Sequence, residues 1–186
     1  MKNIAWSGMV AMLAVGCSSS ANLGGFSSSV DGQRAIQDLT ADERTTLCNE
    51  VAAFETRSGA LTDLGELDCR LNAFVGITSQ SDAEIRSACQ EEYDLCKASV
   101  QPTSGPCMFP TGNCLATVAD LTLCVNDMFR WTQDALASTP MCSELTAATL
   151  EARRRNPELP LPASCMAITQ KCPGAASTTS DADTSP

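Results

Sequence analysis

The stretch 114–137, CLATVADLTLCVNDMFRWTQDALA, decides the fold class. Leu115, Val118, Leu121, Val125, Met128 and Leu136 recur along it with the 3.6-residue period of an amphipathic helix. A helix over 114–137 is therefore expected, and the rest of the chain is read outward from it.

Toward the N-terminus, Thr40 and Glu43 form a T-x-x-E capping box, with Leu47, Val51 and Phe54 following on one face. Gly59 is the expected stop of this first helix. A second helix over about 62–75 would align Leu64, Leu67, Leu71 and Phe74, although Gly65 weakens it. Ser81 and Glu84 repeat the capping box ahead of Ile85, Cys89, Tyr93 and Cys96. Toward the C-terminus a short helix over 143–155 ends in Arg153-Arg154-Arg155, favourable at the negative end of a helix dipole. Pro157, Pro160 and Pro162 force an extended connector, and a last turn or two carries Cys165, Ile168 and Cys172. No segment alternates as a half-buried strand does. The expected fold is all-α, a small disulfide-stapled bundle of five to six short helices spanning 36–174.

Eleven cysteines punctuate this body and its leader: Cys17, then Cys48, Cys69, Cys89, Cys96, Cys107, Cys114, Cys124, Cys142, Cys165 and Cys172. The last ten are an even set, as five disulfides require, and their density reaches the roughly 8–10% of small disulfide scaffolds. Three pairs share C-x6-C spacing: Cys89/Cys96, Cys107/Cys114 and Cys165/Cys172. On a helix, seven residues are about 10.5 Å along the axis, so such a pair cannot bond itself but can grip a neighbour at two heights. Nested bonds 96–107 and 89–114 would close a hairpin around 101–106. A local 107–114 bond is the alternative. Cys48 and Cys69 flank Gly59 and are placed to staple the first two helices. The order of Cys124, Cys142, Cys165 and Cys172 stays open.

The N-terminus reads as an address. Lys2 is a short positive region, and residues 3–16 are an apolar run too short for the ~20 residues of a membrane span. It ends Leu13-Ala14-Val15-Gly16-Cys17-Ser18. This resembles a bacterial lipoprotein signal peptide, with Ala14 standing where leucine is usual. The resemblance implies removal of 1–16, a diacylglyceryl group on Cys17 and a membrane anchor in the cell envelope. Serine rather than aspartate after Cys17 resembles outer-membrane sorting. More than one acyl chain makes such anchoring stable. Residues 17–35 are then the lipidated cysteine and a Ser/Gly/Ala-rich flexible tether, and 175–186 a disordered Ser/Thr/Asp tail. The segments ADLTLCVND (119–127), PASC (162–165) and KCPG (171–174) resemble cysteine-rich lipoproteins of the myxobacterial type. That resemblance implies a location and brings no catalytic residues.

Composition removes whole classes of chemistry. There is no histidine, so Ser-His-Asp and Cys-His catalysis and His-ligated metals are excluded. A net charge of −10, one unit more negative once Lys2 is lost, argues against nucleic acid as a partner. No C-x-x-C suggests redox work, and the thiol spacings do not suit structural zinc. No cofactor or metal is expected. Glu66/Asp68 and Glu91/Glu92 are the acid pairs that general acid–base chemistry would need, but neighbouring acids on helices usually face solvent. The expected function is a structural or protein-interaction module without catalytic activity, its partners the membrane through Cys17 and an envelope protein or lipid. The alternative is a carrier of an apolar ligand in a helical cavity, with Met108, Met128, Met141 and Met166 as adaptable lining. Trp131 and the Arg153–Arg155 run are candidate contacts for a partner or for anionic headgroups.

Overall fold

A computed structural model of the chain describes residues 24–78, 81–99, 113–155 and 160–173. These form six α-helices: α1 Ala41–Ser58, α2 Ala60–Asn72, α3 Asp82–Ser99, α4 Val118–Ser138, α5 Ala147–Arg155 and α6 Ala163–Lys171. Single 3-10 turns occur at Ile36–Asp38 and Cys142–Glu144. The fold is all-α; among the described residues the extended backbone pairs only at one isolated bridge, Ala35 with Thr117.

Local chemistry sets the helix ends. The Thr40 N–H donates to Glu43 Oε2 at 2.8 Å and the Glu43 N–H donates back to Thr40 Oγ1 at 3.3 Å, so α1 starts on its capping box. Gly59, at φ 74, ends α1 and opens α2 in a one-residue corner. A Cβ there would meet nothing within 4 Å, so it is the left-handed backbone that favours glycine. Ser81 caps α3 through the Glu84 N–H. Asp82, in the first turn of α3, also accepts the Ala147 N–H at 2.9 Å and so caps α5 from outside that helix.

The long helix begins four residues later than its periodicity predicts. Thr117 and Asp120 make a T-x-x-D capping box at 117, with aspartate where the Thr40 box carries Glu43. Before it, the chain is extended and spends its backbone groups elsewhere. The Ile36 N–H donates to Ala116 O at 2.8 Å, and the Leu115 N–H donates to Lys171 O at 2.9 Å. Leu115, counted in the apolar stripe, is 67% exposed.

The tether also ends earlier than its composition suggests. Residues 24–35 are packed onto the body, with Phe26 and Val30 buried beside Leu47, Phe54 and Val118. Phe54 stacks its edge between Phe26 and Phe129, at centroid distances of 5.7 and 5.6 Å. Small polar residues mask this segment's part in the core because Phe26 and Val30 are its only sizeable apolar side chains. A second core cluster joins Phe74, Ile77, Ile85, Leu145 and Leu150, and a third, around Ile36, Cys114 and Cys172, ties the start of α4 to the end of α6.

Four disulfides cross-link these elements: Cys69–Cys96, Cys89–Cys142, Cys114–Cys172 and Cys124–Cys165. Cys48 is disulfide-bonded as well, while Cys17 and Cys107 lie outside the described residues. The pairings 96–107, 89–114, 107–114 and 48–69 are thereby corrected. Cys89 and Cys96 do grip at two heights, but onto the 3-10 turn and α2, because α2 packs along α3. Cys69 points into that contact and not toward α1, which meets α2 less extensively. The nested pattern expected of 89–114 occurs between α4 and α6, where Cys114–Cys172 encloses Cys124–Cys165.

Candidate functional site

Two recesses flank the α2 helix. The first is built on Glu66. Its carboxylate accepts from Arg70 Nε at 2.8 Å, one helical turn on, from Tyr93 Oη at 2.7 and 2.8 Å, and from Lys97 Nζ at 2.9 Å. The i,i+4 spacing of Glu66/Arg70 and of Tyr93/Lys97 places both pairs on facing stripes of α2 and α3, and Cys69–Cys96 holds the two stripes in register. Partial burial alone would raise the Glu66 pKa, but the donors from Tyr93, Lys97 and Arg70 outweigh it and hold the group at about 2. Burial, with the hydrogen bond to Glu66, pushes the Tyr93 phenol up to about 12. With the carboxyl held low and the phenol held high, the four side chains form an ion-pair and hydrogen-bond clamp between α2 and α3. Glu66 and Asp68 also part company: Asp68 faces solvent, as do Glu91 and Glu92. The pocket beside the clamp, about 140 Å³, is edged by Gln90, Met141 and Ser143.

The second recess lies between the end of α2 and α5. It is a cleft of about 330 Å³ with Leu71, Phe74, Val75 and Leu150 along its wall and Arg153 and Arg154 at its edge. Arg153 donates to Thr139 Oγ1 at 2.8 Å, and Arg154 donates to the Ile77 carbonyl. The basic run thus reaches the body of the protein through two of its three members; Arg155 pairs only distantly with Glu151, at 3.8 Å.

No family model matches the chain, and no curated protein or solved structure is significantly similar to it.

The sequence-derived candidates divide accordingly. Cys17 and Met108 fall outside the described residues. Met128 is half-buried on α4, while Met141 and Met166 are exposed, so the described methionines line no shared cavity. Trp131 is half-buried on α4. Among the described residues no three His, Cys, Asp or Glu side chains are grouped to hold a metal ion, and no helix is long and apolar enough to cross a membrane. Sequence reasoning missed the cleft because Phe74 and Val75 follow α2 in a turn, and their meeting with Leu150 spans 75 residues. The arginine run was the one visible signal.

Proposed function

We propose that the protein is a lipoprotein of the cell envelope, held in the outer membrane by acyl chains on Cys17, and that its body serves as a structural or protein-interaction module without catalytic activity. The observation that carries this reading is the set of disulfides joining segments 27 to 58 residues apart, behind an apolar leader that ends in a lipobox-like cysteine. Such cross-links persist in exported, oxidising compartments. The packing of residues 24–35 adds a constraint. Only the span from Cys17 to Gly24 separates anchor from body, about 25 Å at full extension. The module would therefore act close to the membrane surface.

The test is the intact mass of protein made in an envelope host, with thiols alkylated before and after reduction. A diacylated chain starting at Cys17, with no free thiol before reduction and ten after, supports the reading. A chain cleaved elsewhere and unacylated overturns the anchor, and free thiols in the exported protein overturn the stapled module. The cleft beside Arg153 and Arg154 favours a second reading, the binding of an apolar ligand.

A further inference from the structure

We propose that the cleft between α2 and α5 binds a fatty carboxylate, the acyl chain along the Leu71, Phe74 and Leu150 wall and the head group at Arg153 and Arg154. The volume of about 330 Å³ falls in the small-ligand range of roughly 300–1,000 Å³. Leu150 is fully buried and Phe74 nearly so, while Val75 is 73% exposed and carries the apolar wall out to the surface. Gly76, on the lining, turns the chain at φ 83, and a Cβ there would meet nothing within 4 Å.

The charge at this cleft runs against the rest of the molecule. The chain is net −10, yet two guanidinium groups stand at the edge of an apolar wall. Each is held from behind, Arg153 by the Thr139 hydroxyl and Arg154 by the Ile77 carbonyl. A guanidinium has five N–H donors, so both retain donors for a ligand while their positions are set in advance. The neighbouring acid, Glu151, is itself exposed and reaches Arg154 only at 3.9 Å. It screens the pair without neutralising it. An anion attached to hydrocarbon satisfies both halves of this surface. A peptide fits less well, because its backbone N–H and C=O groups would need partners along a wall whose uncharged polar side chain is Asn72.

This inference does not depend on acylation of Cys17. It is tested on the complete mature chain with Cys17→Ser, exported behind a cleavable secretory leader, so that no detergent enters the cleft. Laurate and dodecanol, equal in chain length and different in head group, are titrated by calorimetry. Laurate is expected to bind about tenfold or more tightly than dodecanol, the scale of a hydrogen-bonded charged head. Arg153→Gln with Arg154→Gln should remove that advantage and leave dodecanol little changed. Val75→Asp, at an exposed position that the fold does not need, should weaken laurate about tenfold by repulsion and lost apolar contact. If the arginine pair proves necessary for folding, as circular dichroism would reveal, Val75→Asp decides alone. Equal binding of laurate and dodecanol, no binding of laurate, or binding indifferent to Val75→Asp would each overturn the proposal.

Discussion

Asn126 and Phe26, one hundred residues apart, exchange two hydrogen bonds: the Phe26 N–H donates to Asn126 Oδ1 at 2.6 Å, and Asn126 Nδ2 donates to the Phe26 carbonyl at 2.9 Å. A single side-chain amide on α4 thus replaces a strand partner for the incoming chain. The contact is close enough that a Cβ on Gly25 would sit 2.7 Å from Asn126 Oδ1. Asn126→Ala should cost about 1–3 kcal/mol, since it leaves part-buried backbone groups unpaired. Limited proteolysis should then cut near residues 24–30 before the rest of the body opens. Equal protection of that segment in both proteins would count against the role given to Asn126.

The Glu66 clamp makes a pH prediction at both ends of the scale. Its folded pKa, about 2, lies below the ordinary carboxylate value, so its stabilisation is present above about pH 4.5 and is lost as pH falls toward 2. Tyr93 behaves in the opposite sense. Its folded pKa of about 12 means that its contribution holds below pH 10 and disappears between 10 and 12. Glu66→Gln should lower the melting temperature at pH 7 and flatten the acid limb of the stability curve; Tyr93→Phe should flatten the alkaline limb. Parallel curves for wild type and variants would show that the clamp is not what titrates.

Peptide mapping without reduction should recover the four cross-links 69–96, 89–142, 114–172 and 124–165, and none of 89–114, 96–107 or 48–69. Removing the Cys124–Cys165 bridge, with both residues changed to serine, opens a loop of 41 residues. The chain-entropy relation then gives a loss of about 4 kcal/mol, readable as a lower denaturant midpoint.

The α1–α2 corner offers a small, clean test. Gly59→Ala places a Cβ in open space but in left-handed backbone, and should cost about 1 kcal/mol. Gly59→Asn should cost less, because asparagine tolerates that conformation. Thermal denaturation of the two variants side by side distinguishes backbone strain from packing: if the larger asparagine were the worse of the two, the corner would be limited by space.

Helix starts and stops are legible where a T-x-x-E or S-x-x-E box or a terminal glycine marks them, but the T-x-x-D box at Thr117 lies inside an apolar period that runs past it. Thr40–Glu43 and Gly59 act as read, and Ser81 caps α3 through the Glu84 N–H. The start of α4 was misplaced because Leu115 happens to continue the apolar period, while the Ile36–Ala116 and Leu115–Lys171 hydrogen bonds that draw 114–117 into extended backbone come from distant segments. The tether was overextended for a similar reason. Its serines and glycines look unstructured in isolation, and only Asn126, Glu50 and the α1–α4 core give them partners, as where Glu50 accepts from Ser28 Oγ at 2.6 Å.

The sequence by itself determined the all-α class and the caps at Thr40, Gly59 and Ser81, because each follows from spacing along one segment and from short-range backbone chemistry. The lipobox-like stretch ending at Cys17 is likewise local, and underlies the proposed anchor. Tertiary structure alone decided which cysteine meets which, that Glu66 is clamped by Arg70, Tyr93 and Lys97, and that Phe74, Val75 and Leu150 form a cleft beside two arginines. These depend on how helices pack, and packing brings together side chains whose separation in sequence carries no periodic signal.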